Sequence, residues 1–264
     1  MDIISSIILG GIQGLTEFLP ISSSGHLILM REFLGINSVD GLAFDAVLQL
    51  ATSLAVLVYF KHDFLELIKG FFGLITGKVV EKKIKVLFGA IVLGTIPAVI
   101  FGLMLEGHME TTFRGAKFVA VMLLLGSILF YIAERIAKQN ENLTTKKGLL
   151  IGFFQSLALL PGMSRSGVTI SGGLIFGMKR EDAARFSFLL SFPIIFGSGL
   201  LKFFELSNGG FENGLGSHLF IGGISAFIVG IFAIHYLLKY LRNHTLNIFI
   251  IYRVVLAIII LIVF

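Results

Sequence analysis

QGLTEFLPISSSGH, residues 13–26, sets a carboxylate (Glu17), three consecutive hydroxyls (Ser22, Ser23, Ser24) and an imidazole (His26) in otherwise apolar sequence. Pro20 cuts the apolar run, and SSSG follows it. FFQSLALLPGMSRSG, residues 153–167, repeats the plan. Gln155 stands twelve positions before Gly167, as Gln13 stands twelve before Gly25, and Pro161 leads into SRSG. The first copy carries the acid and the histidine, and the second carries Arg165. Two matched polar turns with complementary groups point to one site built from both.

The composition around these turns is that of an integral membrane protein. Of 264 residues, 56% are hydrophobic and 14% charged, and the mean hydropathy is +0.95. Soluble domains average about 25% charged residues. The chain has no cysteine, which excludes disulfides, thiolate metal sites and thiol nucleophiles. The net charge of +5 sits largely beside apolar runs, where it reports topology rather than a nucleic-acid partner. The first apolar run is interrupted by Gln13 and Glu17 and lacks a basic start, so it is not expected to act as a cleavable signal peptide.

A spanning helix needs about 20 apolar residues. Stretches 42–60, 85–105, 115–134, 183–203, 217–239 and 246–264 meet this. Regions 2–34 and 148–178 do not, because Pro20 with the serines and Pro161 with SRSG break them into short halves. Irregular backbone at membrane depth is tolerated only where protein buries it or water reaches it. Both regions are therefore expected to be re-entrant helical hairpins. Each half of the chain, about 1–134 and 148–264, is then one hairpin plus three transmembrane helices. Three crossings change sides and a hairpin does not, so the repeats must be inverted. The fold expected is an all-α polytopic membrane protein, a single integral domain, with the two polar turns meeting from opposite sides.

Lysine and arginine mark the orientation. Lys61, Lys69, Lys78, Lys82, Lys83, Arg135, Lys146 and Lys147 gather on one face; Arg31, Arg114, Lys117 and Lys202 lie on the other. Basic loops stay cytoplasmic, so both termini and the first hairpin's mouth are expected outside. Segment 61–84 reads as an amphipathic cytoplasmic loop, 135–147 as the join between repeats, and 204–216 as an outer loop.

Glu17 lies four residues after Gln13 and shares its helical face. An acid at that depth is a functional candidate by default, able to hold a divalent cation or accept a proton; the competing reading is a carboxylate satisfied by nearby backbone. Ser22, Ser23, Ser24 and Gly25 suit a phosphate nest at a helix start or a simple N-cap. His26 in the next turn is a candidate base or nucleophile. Arg165, flanked by Ser164 and Ser166, has the fork for phosphate oxygens and could equally pair with Glu17. Asp45 and Gln49 are candidate supporting groups, and Arg253 in the last span has no assigned role.

QGLTEFLPISSSGH together with PGMSRSG resembles the two signature motifs of the undecaprenyl-diphosphate phosphatase family, which is linked to bacitracin resistance. FDAVLQLATSLAVLVYF, 44–60, and the spacing of spans extend the likeness over nearly the whole chain. Many members carry Glu where this chain has Gln13, whose oxygen can still ligate. The resemblance implies removal of the terminal phosphate from a C55 polyprenyl diphosphate, recycling the carrier lipid for cell-wall synthesis from the outer face of the plasma membrane. It also implies a divalent cation, Mg2+ or Ca2+, on Glu17 and Gln13. Carried over by position, Glu17, Ser23, His26 and Arg165 would be catalytic, and Ser22, Ser24, Gly25, Ser164, Arg165 and Ser166 would bind phosphate.

Either Ser23 attacks, with His26 as base, or His26 attacks, oriented by Glu17. The expected partners are the lipid diphosphate and membrane lipid, with a homodimer left open and no nucleic acid. The competing function is a lipid flippase or secondary transporter, which inverted repeats also serve.

Overall fold

Proline and serine break the first apolar region where the motif places them. Helix α1 (Ile3–Phe18) stops at Leu19, which takes an extended conformation (φ −65°, ψ 139°) because the ring of Pro20 disfavours helix in the residue before it. Helix α2 (Ser23–Phe33) starts after Ser22, whose positive φ of 75° is strained for a residue with a Cβ and whose hydroxyl accepts from Gly25 N. The second region breaks the same way. Helix α7 (Thr145–Leu157) ends before Pro161, and α8 (Arg165–Ile175) starts after Ser164, at φ 72° and with its hydroxyl accepting from Gly167 N. The computed structural model describes the backbone of residues 2–36, 41–111, 115–208 and 215–263, and their side chains except at 41–43, 106–111, 205–208 and 215. Arg114, read as marking one face, lies outside the described residues, as do residues 209–214 of the 204–216 loop.

The remaining elements are α3 (Gly41–Tyr59), α4 (Lys61–Ile75), α5 (Lys82–Thr111), α6 (Ala116–Ile136), α9 (Arg180–Asn208), α10 (Leu215–Leu241) and α11 (Asn247–Val263). Eleven helices and no strand are present among the described residues, so the chain is all-α. Four segments are long and apolar enough to cross a membrane: Lys82–Leu105, Ala116–Ile136, Arg180–Phe204 and Gly216–Leu241. The pair Phe44–Tyr59 and Lys61–Ile75 meets the same measure only when counted together across its 80° bend. The chain is thus a multi-pass membrane protein.

Two expected elements differ in detail. Region 61–84 begins with a formed helix, α4, turned sharply from α3 and exposing Leu65, Ile68, Phe72 and Ile75. Helix α11 has 17 residues, about 25 Å at 1.5 Å per residue, short of the roughly 30 Å hydrocarbon core.

Small residues bring the helices together, as expected where lipid supplies no hydrophobic drive between them. In α1, Gly10 and Gly14 lie on the backbone of α10: a Cβ on Gly14 would come within 2.5 Å of the Ala226 carbonyl, and one on Gly10 would strike Gly222. In α7, Gly148 and Gly152 lie on α5 in the same manner, against Ala90 and Gly94. The central core between them gathers Phe18, Phe60, Phe130, Phe188, Ile151 and Leu190.

Charged residues tie several helix ends together. Arg180 Nε donates to both Glu134 oxygens at 3.0 Å, and Leu246 N donates to Glu134 Oε1 at 2.8 Å. These bonds join the end of α6 to the starts of α9 and α11. Arg242 Nε donates to Glu181 at 2.8 Å, and Arg185 pairs with Asp63. Asp45 is not beside the polar turns: it pairs with Arg31 at the end of α2, Nη1 to Oδ2 being 2.9 Å.

Arg253 gains a role. It is fully buried, its Nε donating to Ser127 Oγ at 3.2 Å and its Nη2 to the carbonyls of Leu123 and Gly162, both at 3.0 Å. The guanidinium lies 4.6 Å from the centre of the Phe130 ring, so it pins the turn of the second hairpin to α6. Phe130 in turn fills the space that a Cβ on Gly167 would need, which is why the first turn of α8 has glycine there.

Candidate active site

Glu17 is buried in the last turn of α1, and three polar groups converge on its carboxylate. Gln13 Nε2 donates to Oε2 at 3.0 Å from one turn back, and Ser23 Oγ donates to the same oxygen at 2.8 Å. Arg165 Nη1 donates to Oε1 at 3.3 Å from the other hairpin. Ser166 Oγ adds a second link between the hairpins, donating to the Leu19 carbonyl at 3.2 Å. The two polar turns expected to meet do meet, across 148 residues of chain.

The serines shape both helix starts. Ser22 and Ser24 hydroxyls are 3.2 Å apart, and Ser164 and Ser166 hydroxyls 3.3 Å apart. Gly25 N and Gly167 N are taken by the cap hydroxyls at 3.4 and 3.3 Å, so these two amides are committed within the turn. The amides of Ser23, Ser24, Arg165 and Ser166 belong to first helical turns and have no intrahelical carbonyl to bond. Two helix N-termini, each carrying partial positive charge, therefore abut one carboxylate together with an arginine. Such a site is electropositive around its acid, and suits an anion. Among the described residues the Arg165 guanidinium makes one hydrogen bond, to Glu17, so much of its planar fork remains for a ligand.

A small cleft opens at this point, lined by Glu17, Phe18, Arg165, Ser166, Ser187, Phe188, Ser191 and Ile195. The Phe18 and Phe188 rings meet edge to face with centres 5.4 Å apart and form its apolar part. Ser187 and Ser191 were not singled out in the sequence, although serines four apart in the apolar run RFSFLLSF share one helical face. Ser187 Oγ lies 2.5 Å from Thr169 Oγ1, which ties α9 to α8 beside Arg165.

Among the described residues His26 makes no hydrogen bond to Ser23 or Glu17. Its Nδ1 lies 2.7 Å from the Ser22 carbonyl and its Nε2 lies 2.7 Å from the hydroxyl of Tyr252 on α11. The expected Ser23–His26 contact is replaced by a bond back onto the turn. Tyr252 was not read from the sequence, where nothing distinguishes it from other aromatics of the apolar helices.

The residues present fit a hard divalent cation that takes few protein ligands. No cluster of three His, Cys, Asp or Glu side chains occurs among the described residues. Gln13 Oε1, however, is buried with no hydrogen-bond partner while its Nε2 is fixed on Glu17. One carboxylate and an orphaned amide oxygen form an all-oxygen set of the type Mg2+ uses when substrate phosphates complete its coordination.

The chain is similar to known proteins of one family. A family described as Bacitracin resistance protein BacA matches residues 6–259. The chain is 40% identical over 263 residues to the undecaprenyl-diphosphatase of Paenarthrobacter aurescens, covering 97% of this chain and 95% of that one. It is similarly 41% identical to those of Methanosphaera stadtmanae, over 98% of this chain and 97% of the relative, and of Elusimicrobium minutum, over 99% and 98%.

Proposed function

Because the chain belongs to the BacA family of bacitracin resistance proteins across nearly its whole length, we propose how its two hairpins carry out the family's phosphatase reaction. The protein is a membrane-embedded undecaprenyl-diphosphatase. It removes phosphate from undecaprenyl diphosphate and leaves undecaprenyl phosphate. The flippase or transporter alternative is not favoured, since the relatives are named for hydrolysis.

The observation that carries the site reading is the Ser23 hydroxyl donating to Glu17 at 2.8 Å, with Arg165 on the other carboxylate oxygen. Glu17 stands where a base for Ser23 belongs, in place of the His26 base expected from spacing. Ser23 Oγ attacks the terminal phosphorus and Glu17 accepts its proton. The bond to the bridging oxygen breaks, and undecaprenyl phosphate departs with that oxygen. The proton then passes from Glu17 to solvent. Water next attacks the phosphoserine: its oxygen joins phosphorus, Glu17 takes its proton, and Ser23 Oγ leaves and recovers that proton as inorganic phosphate is released. Arg165 shifts from Glu17 to the phosphate oxygens, where charge develops, and the free amides of Ser23, Ser24, Arg165 and Ser166 assist. A divalent cation, if held by Glu17 and Gln13 Oε1, would supply charge neutralisation for the diphosphate.

The proposed architecture is two inverted repeats. Matched packing supports it: Gly10 of α1 lies on Gly222 of α10, as Gly152 of α7 lies on Gly94 of α5. The cap serines also match in conformation, Ser22 at φ 75°, ψ 99° and Ser164 at φ 72°, ψ 110°. The start of α2 lies at the beginning of α6, where a Cβ on Gly25 would come 3.3 Å from Val119, and Ile28 and Leu29 pack against the cluster that Val119 and Ala120 share with α11. The end of α8 instead meets the chain beyond α6, where Glu141 N donates to the Gly177 carbonyl at 2.9 Å. The hairpins thus open at opposite ends of one helix. With lysine-rich ends inside, the first hairpin opens outward, where the substrate diphosphate would enter with its tail leaving between helices.

Phosphate release from undecaprenyl diphosphate by purified protein, in Ser23→Ala, Glu17→Gln and the double variant, tests the pairing. Residues acting as a unit lose activity non-additively, so the double variant should match the worse single one. Multiplying losses would contradict the base role of Glu17.

A further inference from the structure

The hydrolysis steps above leave Tyr252 unused, yet its hydroxyl lies 2.7 Å from His26 Nε2. A carbonyl oxygen can only accept, so the 2.7 Å contact between Nδ1 and the Ser22 carbonyl places a hydrogen on Nδ1. Only Nε2 can then gain or lose a proton. Tyr252 is the partner on that nitrogen, and a phenol can donate to a neutral imidazole or accept from a charged one. The two rings are nearly parallel, 7° apart in plane with centres at 5.6 Å, so the contact fixes ring orientation as well as distance.

The tyrosine itself is held. Its neighbour Arg253 is fully buried and bonded to Ser127 and to the carbonyls of Leu123 and Gly162, which locks α11 in register one residue away. The same short stretch of α11 therefore reaches both hairpins, Tyr252 the first through His26 and Arg253 the second through Gly162.

We propose that Tyr252 is a positioning residue for His26, fixing its Nδ1–H form and ring orientation so that Nδ1 holds the Ser22 carbonyl in the turn that seats Ser23. This rests on His26 belonging to the hydrolase site. Histidine outside such a clamp would turn about its side-chain bonds and release the Ser22 carbonyl, whose residue sets the strained cap of α2.

The test uses the full chain purified in detergent, with Tyr252→Phe, His26→Gln and the double variant, each checked for thermal stability. Tyr252→Phe should lower kcat about five- to tenfold, the scale of one lost hydrogen bond, with KM within twofold. In the His26→Gln background it should change kcat less than twofold, since its effect passes through His26. An activity-free readout accompanies this: in histidine-15N-labelled protein, the Nε2 resonance absent from His26→Gln should shift in Tyr252→Phe. Native kcat in Tyr252→Phe, an equal loss in the His26→Gln background, or an unmoved 15N resonance would each overturn the proposal. Native turnover in His26→Gln would instead bring down the placing of His26 in the site, on which the proposal rests.

Discussion

Replacing Arg165 by lysine keeps the charge and removes the fork. Arg165 touches Glu17 through one nitrogen at 3.3 Å, and its side chain is 23% exposed. Lysine keeps a positive charge beside the Glu17 carboxylate, whose side chain is 6% exposed, so the substitution does not leave a buried charge unpaired. Its larger effect is expected in the transition state, where a planar guanidinium can bind two phosphate oxygens and a single ammonium cannot. Losing such a preorganised contact typically costs about 10²–10³ in rate, or about 2.7–4 kcal/mol. Arg165→Lys should thus lower kcat/KM by about two orders of magnitude and leave the melting temperature within a few degrees of native. The assay is inorganic phosphate release from undecaprenyl diphosphate in detergent, alongside a thermal melt of the same preparation. Turnover within threefold of native would refute the clamp and make Arg165 a structural partner of Glu17. A large fall in melting temperature with matching loss of activity would refute it as well.

Other consequences follow from packing and topology. Gly152→Val should prevent stable folding, because a Cβ there runs into backbone atoms of Gly94 that cannot swing away, whereas Gly197→Ala, with open space around it, should fold and melt as native does; size-exclusion profiles separate the two. Cysteines introduced singly at Lys78 and Asn142, in a chain with no cysteine of its own, should resist a membrane-impermeant thiol reagent in intact cells, and ready labelling at both would reverse the orientation. Arg253→Met should lower stability and activity together, since the Gly162 and Leu123 carbonyls lose their donor and the second turn its anchor; a native melt would show that the turn holds without it.

What was legible in the sequence is what short-range chemistry dictates. Pro20 and Pro161 break helices wherever they stand, and a run of serines before glycine caps the next one, so both hairpins could be placed. Glu17 and Arg165 are costly alone in lipid, which made their meeting an arithmetic consequence of the spans. Other long-range partners were not legible. Spacing put His26 on the face of Ser23, but at a helix start a side chain can bond back to the cap carbonyl, and Nδ1 does so with Ser22. Tyr252, Ser187 and Ser191 look like ordinary members of their helices until folding brings them to the turns. Arg253 carried a visible anomaly, a charge in an apolar span; its partners are carbonyls, which every residue has and no sequence pattern marks.

The central claim is that Ser23 forms the covalent bond to phosphorus with Glu17 as its base. Undecaprenyl diphosphate labelled in its terminal phosphate, mixed with enzyme and quenched during turnover, tests it directly. Label is expected on Ser23, stable to acid and released by base. Acid-labile, base-stable label on His26, or no protein-bound label under any quench, would contradict it.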